Sequence, residues 1–131
     1  MRYLFMMLCL LVSATLFGQS RLTDKKGEVT FFSEAPLENI EATTKQALAV
    51  LDTATNKVAA SISIKGFDFE KDLMQEHFNE NYLESDKYPK ATFSGDLESK
   101  IDYKSTKVQE ISIKGKMTIH GVTKPFQGMV K

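Results

Sequence analysis

The side chains able to do proton or metal chemistry gather mainly between Glu76 and Asp86, where His77 stands among Glu76, Glu80, Glu84 and Asp86, with a second histidine at His120. A histidine pair suits a metal or a general base, but a metal site needs three or four converging ligands, and no spacing here supplies them. His77 falls on or near the wet side of a helical pattern and His120 on the outward parity of a strand, so both read as solvated. Glu76, Glu80 and Glu84 recur four apart, share a helix face and repel mildly, whereas acid–base catalysis needs a cleft and unequal environments. Ser94 and His120 are the nearest nominees for a nucleophile and its base, and both take outward parities. There is no glycine-rich phosphate loop and no Gly-x-Ser-x-Gly elbow. No catalytic residue, metal or cofactor is therefore expected. What remains is apolar area: Phe32, Phe67, Phe69, Phe78, Tyr82, Phe93 and Phe126 beside Met74, Met117 and Met129. Such side chains fill a small core as readily as they grip an apolar ligand.

The elements that must position them are mostly strands. One helix is expected around residues 70–82: Met74, Phe78 and Tyr82 form an apolar stripe at four-residue spacing, Asp72 can cap the start, and Gln75 can answer it as in a capping box. Pro89 stops that pattern, and Ala91, Phe93 and Gly95 then alternate with Thr92 and Ser94. Period-two alternation is clearest from Ile111 to Gly121, recurs from Val58 to Ile64, and is weaker from Val29 to Phe32. Further strands are expected over Ile40–Thr44, Ala47–Leu51, Leu97–Tyr103 and Val122–Val130. Turn-rich stretches at Ala35–Asn39, Asp52–Lys57 and Asp102–Lys107 separate them, as in an antiparallel meander with one wet face. Seven or eight such strands manage their edges by rolling into an up-and-down barrel, which either packs solid or holds one small ligand. Periodicity does not separate those two outcomes.

Compartment is read from the start of the chain. Residues 1–18 combine Arg2, an apolar run Tyr3–Val12 and a mostly small-residue stretch ending at Gly18, the pattern of a cleaved signal peptide. The run is too short to span a membrane. A periplasmic or secreted domain over residues 19–131 is expected, with cleavage near Gly18 and the single cysteine, Cys9, leaving with the leader. Lys and Arg total 17 and Asp and Glu total 17, so no net charge recruits nucleic acid.

The segment HFNENYLESDKYPKATFSG, His77–Gly95, and the segment GKMTIHGVTKPF, Gly115–Phe126, resemble the YceI-like family of secreted bacterial lipid-binding proteins. The first resembles its helix followed by Tyr-Pro and an alternating strand; the second resembles its inward-facing strand, Gly turn and Thr-Lys-Pro exit. The Glu-, Asn- and Tyr-rich helix segment is similar to Bacteroidetes variants. The resemblance implies a lipocalin-like antiparallel β-barrel, partly closed by the helix, that binds a polyisoprenoid or prenyl quinone without catalysis. Family members usually carry further strands past Thr-Lys-Pro, so a barrel open on one side is expected over the present length. The lining residues expected are Phe32, Ile62, Ile64, Phe67, Phe78, Tyr82, Phe93, Ile111, Ile113, Met117, Ile119 and Phe126. An isoprenoid-type lipid is the expected partner, with no nucleic acid or metal, and an open edge would favour a homodimer. The alternative is a solid-cored surface or stress-associated protein that displays loops such as Glu34–Asn39.

Overall fold

The computed structural model describes residues 20–34 and 36–131; the expected leader over residues 1–18 lies outside the described residues. Strands β1 (Arg21–Ser33), β2 (Ile40–Asp52), β3 (Lys57–Ser63), β4 (Asp68–Phe69), β5 (Lys90–Leu97), β6 (Ile111–Ile119) and β7 (Val122–Val130) form one sheet, with a helix α1 (Asp72–His77) between β4 and β5. The order is β1-β2-β3-β5-β6-β7, with β4 paired to β2, and each of these pairings is antiparallel. No ladder joins β1 to β7 among the described residues, so the sheet is mainly β and curved but not closed. The open barrel expected from the resemblance is what the sheet shows.

Alternation sets the two faces. On β6, Ile111 and Ile113 are buried while Lys114 and Lys116 are exposed; on β5, Ala91, Phe93 and Leu97 are buried while Thr92, Ser94 and Asp96 are exposed. Two compensating irregularities in β1–β2 pairing flank Gly27, and the inward parity changes there from even to odd on β1. This is why Ile40–Thr44 and Ala47–Leu51, expected as two strands, are one strand with a switch of face.

Gly95 on β5 lies opposite Gly115 on β6, and a Cβ at either would come within 2.2 Å of the facing strand's carbonyl oxygen. The two backbones approach more closely than any side chain there permits. Phe126 on β7, opposite Gly115, has its ring against Gly128 and meets Phe93 edge-on at a centroid distance of 6.0 Å. Pro125 is tolerated in β7 because β7 pairs on one side only.

Three expected elements differ. The strand over Leu97–Tyr103 stops at Leu97, where a long loop begins that Asp102 organises by accepting from the Lys104 amide at 3.0 Å. The strand from Ile111 ends at Ile119, because His120 and Gly121 form the turn. The helix expected over residues 70–82 is α-helical only over Asp72–His77 and continues as a π-turn over Phe78–Tyr82. Lys71, not Asp72, occupies the N-cap position without a side-chain bond, and Gln75 instead accepts from the Phe69 amide at 3.2 Å.

Candidate ligand-binding site

The inner face divides into a packed end and an open end. At the packed end, the single 3-10 turn Ile64–Gly66 breaks the period of β3, burying Ile64 at 2 % exposure and delivering Phe67 to the interior. Ala42, Phe67 and Phe69 are buried there, with Val29, Phe31, Ile40, Ile62, Met74 and Phe78 packed around them. Phe78 is the hub: its ring lies 4.8 Å from Phe69, 5.7 Å from Phe31 and 6.1 Å from Phe67. Each such pair contributes about 0.5–1.5 kcal/mol beyond area burial. Helix α1 and its π-turn thus plug this end with side chains.

At the open end Phe93, Leu97, Ile111 and Ile113 are buried, with Leu51, Val58, Ala60, Ile101, Met117 and Phe126 around them. Past Met117 and Phe126 the face opens into a groove of about 380 Å³ lined by Met117, Ile119, His120, Val122, Lys124, Pro125 and Phe126. Ile119 is 37 % and Val122 52 % exposed, so the apolar row continues beyond what the sheet covers.

The tip of this groove is anchored. His120 (φ 52°) and Gly121 (φ 72°) make a two-residue turn with both φ positive, as a twisted hairpin demands. A side chain at Gly121 would meet the Tyr88 ring at 2.7 Å. His120 Nε2 lies 2.9 Å from Glu84 Oε1, and the Tyr88 ring meets the imidazole edge-on at 4.9 Å, with Lys87 Nζ 5.4 Å from the Tyr88 centroid. Glu84 itself has φ 46°. The loop leaving the π-turn is therefore tied to the β6–β7 hairpin beside the groove. Far from it, Asp52 at the β2–β3 turn is held below the ordinary carboxylate value, chiefly because it accepts the Ala54 amide.

A YceI-like domain matches residues 16–131, nearly the whole chain. The chain belongs to the YceI-like family. Among solved structures it is similar to a polyisoprenoid binding domain from Saccharophagus degradans implicated in plant cell wall breakdown, with TM-score 0.62, 12 % identity, and coverage of 86 % of this chain and 66 % of that one. It is also similar to the Campylobacter jejuni YCEI protein (TM-score 0.44, 18 % identity, 82 % and 53 % covered) and to Burkholderia cenocepacia BcnA (TM-score 0.44, 14 % identity, 82 % and 56 % covered). This YceI-like chain thus spans just under two thirds of the first of these structures and little more than half of the others. No curated protein sequence gives a significant match.

Of the expected lining residues, the YceI-like sheet brings Ile62, Ile64, Phe67 and Phe78 to the packed end and Phe93, Ile111, Ile113, Met117 and Phe126 to the open end, while Ile119 stands at the rim. Two are placed elsewhere. Phe32 pairs with Glu41 on the outer face at 55 % exposure, because the parity switch at Gly27 gives the inner position to Phe31. Tyr82 is 66 % exposed: in the π-turn the Leu83 amide bonds Phe78 O at 2.9 Å, so five residues, not four, return to Phe78's face. Phe69 stood among the candidate aromatics but not among the expected lining, and sequence reasoning missed Phe31, Leu97 and Val122; alternation with Val29 was the signal for Phe31, masked by Phe32 beside it. Ser94 lies on the outer face opposite Lys116, and His120 sits in the turn engaged by Glu84, so the two do not form a dyad. A second cleft of about 430 Å³ between β2, β4 and α1 is polar, with Lys71 paired to Glu38 at its wall. Among the described residues no three His, Cys, Asp or Glu side chains converge as a metal would require.

Proposed function

We propose that this YceI-like protein binds an amphiphilic lipid of the polyisoprenoid or prenyl-quinone kind and carries, stores or sequesters it, without catalysis. The single observation that carries the reading is the continuity of the inner face, from the buried Phe93 and Ile113 through Met117 and Phe126 into an uncovered apolar groove. Its volume, about 380 Å³, falls in the range of roughly 300–1,000 Å³ usual for small-molecule sites. Each buried methylene contributes about 0.8 kcal/mol, so ten to fifteen carbons give an upper limit of about 8–12 kcal/mol before ordering costs. Micromolar affinity corresponds to about 8 kcal/mol and is within reach. The name of the Saccharophagus degradans domain supports the same ligand class.

The location follows from the leader: export to the periplasm or beyond after cleavage near Gly18, in a Bacteroidetes-type host, is part of this proposal. N-terminal sequencing of the protein from its host tests it, with a mature terminus near Gln19 expected. Extraction under native conditions followed by mass spectrometry should show a co-purifying prenyl lipid. A ligand-free protein that also ignores added prenyl quinone would overturn the reading. A homodimer is proposed second, because among the described residues β1 and β7 each present an unpaired edge. Sedimentation of a monomer at binding concentrations would remove it.

A further inference from the structure

Register places one charge on an otherwise uncharged inner row, on a strand whose edge such a charge also protects from pairing. Val122, Lys124 and Phe126 take the inner positions of β7 opposite Ile119, Met117 and Gly115, and Lys124 lines the groove with them. No other inner position of β5, β6 or β7 carries a charge. A lysine serving solubility belongs on the outer row, where Lys114 and Lys116 already stand. Nor is Lys124 drawn inward by a carboxylate. The ion pairs among the described residues use Lys65, Lys71, His120 and Lys131, and Glu84, the acid beside the hairpin tip, is engaged by His120. Lys124 is exposed, so its ammonium keeps its water while its methylene stem lies along the apolar row.

We propose that the groove selects an amphiphile with an anionic head, a phosphate or carboxylate on a prenyl chain, with Lys124 Nζ donating to the head and Met117 and Phe126 holding the first isoprene units. The proposal rests on the lipid-binding reading and adds the head group to it. An exposed lysine at the rim gives an anion a charge-assisted bond without the cost of burying an unpaired ammonium. A neutral head of the same chain gains no such term.

Titration calorimetry with farnesyl phosphate, farnesol and inorganic phosphate, on the wild type and on Lys124→Met, Lys124→Arg and Lys114→Met, tests this. The wild type should bind the phosphate ester about tenfold or more tighter than the alcohol, since a charge-assisted bond exceeds a neutral one by about that factor. Lys124→Met should bring the two within about twofold while leaving farnesol affinity intact; Lys124→Arg should restore the preference, and outer-face Lys114→Met should leave it unchanged. Equal wild-type binding of ester and alcohol, or a preference that survives Lys124→Met, would overturn the head-group assignment while leaving lipid binding standing. Failure of both amphiphiles to bind would overturn the lipid reading itself. Inorganic phosphate binding as tightly as the ester would show an anion site without a lipid and overturn the proposal in a third way.

Discussion

Phe78 touches three other rings at the packed end, whereas Phe126 at the β6–β7 end has one ring partner, Phe93, among the described residues, and beyond it Ile119 and Val122 continue the inner row uncovered. Both ends present the same kind of strand surface, an apolar inner row on an antiparallel pair. They differ in what comes after the strand. The chain leaving β4 turns back as α1 and its π-turn and lays Met74 and Phe78 on the face; the chain leaving β6 turns through His120 and Gly121 into β7, over which no further layer lies among the described residues. On the reading proposed above, the packed end is scaffold, stabilised by ring contacts, and the open end is where an apolar guest would gain most by binding. One sheet would then divide its residues between folding and ligand binding by coverage alone.

The sharpest way to break this division is Phe78→Ala. Removing the hub of four rings should cost about 3–4 kcal/mol in urea unfolding, while amphiphile affinity of the folded fraction changes less than about twofold. Equal losses in both would mean the two ends are one unit. Gly115→Ala attacks the seam between the regions: its Cβ would meet Ser94 O at 2.2 Å, so β5 and β6 must separate, at about 2–3 kcal/mol by analogy with overpacked cores. It should also weaken lipid binding, because separating β5 from β6 moves Phe93 away from Phe126 at the edge of the groove.

Phe126→Ala should show the reverse balance to Phe78→Ala. A half-buried ring with one partner contributes about 1–2 kcal/mol to stability, yet its loss should weaken prenyl-alcohol binding about tenfold in calorimetry, comparable to removing the wall of a site. Glu84→Gln loosens the hairpin tip. Both partners are substantially exposed, at 40 % and 46 % of the side chain, so the cost should stay below about 1 kcal/mol and shrink further in high salt. Asp52→Asn lies outside both regions and serves as the control. Because folding lowers its carboxyl below the ordinary value, Asp52 contributes stability above the ordinary carboxylate range that is lost as pH falls through its folded value. The variant should therefore flatten the acid limb of a melting-temperature profile and leave lipid binding unchanged at neutral pH.

Much of this was legible in single elements. The strand expected over Val122–Val130 is β7 to the residue, the alternation read from Ile111 to Gly121 overran β6 by two residues, and Met74 with Phe78 faces inward as their spacing requires. His77–Gly95 and Gly115–Phe126 pointed to the family that the match over residues 16–131 shows. Tyr82 failed because a four-residue stripe assumes α geometry, and nothing in Asn79–Asn81 announces a π-turn. Leu97–Tyr103 failed because its apolar residues, Leu97, Ile101 and Tyr103, mimic a strand while Asp102 gathers the backbone into turns. Phe31 and Phe32 are adjacent, so the alternation of Phe31 with Val29 was masked by an equally apolar neighbour.

The sequence by itself determined the strand periods and the apolar stock of the interior, because each depends on dihedral preferences and side-chain spacing within a few residues. Only the tertiary structure decided which faces are covered: that Phe31 rather than Phe32 points inward, that Phe78 gathers three rings, and that Lys124 shares a row with Met117 and Phe126. Those outcomes depend on register between strands and on bulges far along the chain, where one residue's slip exchanges the two faces.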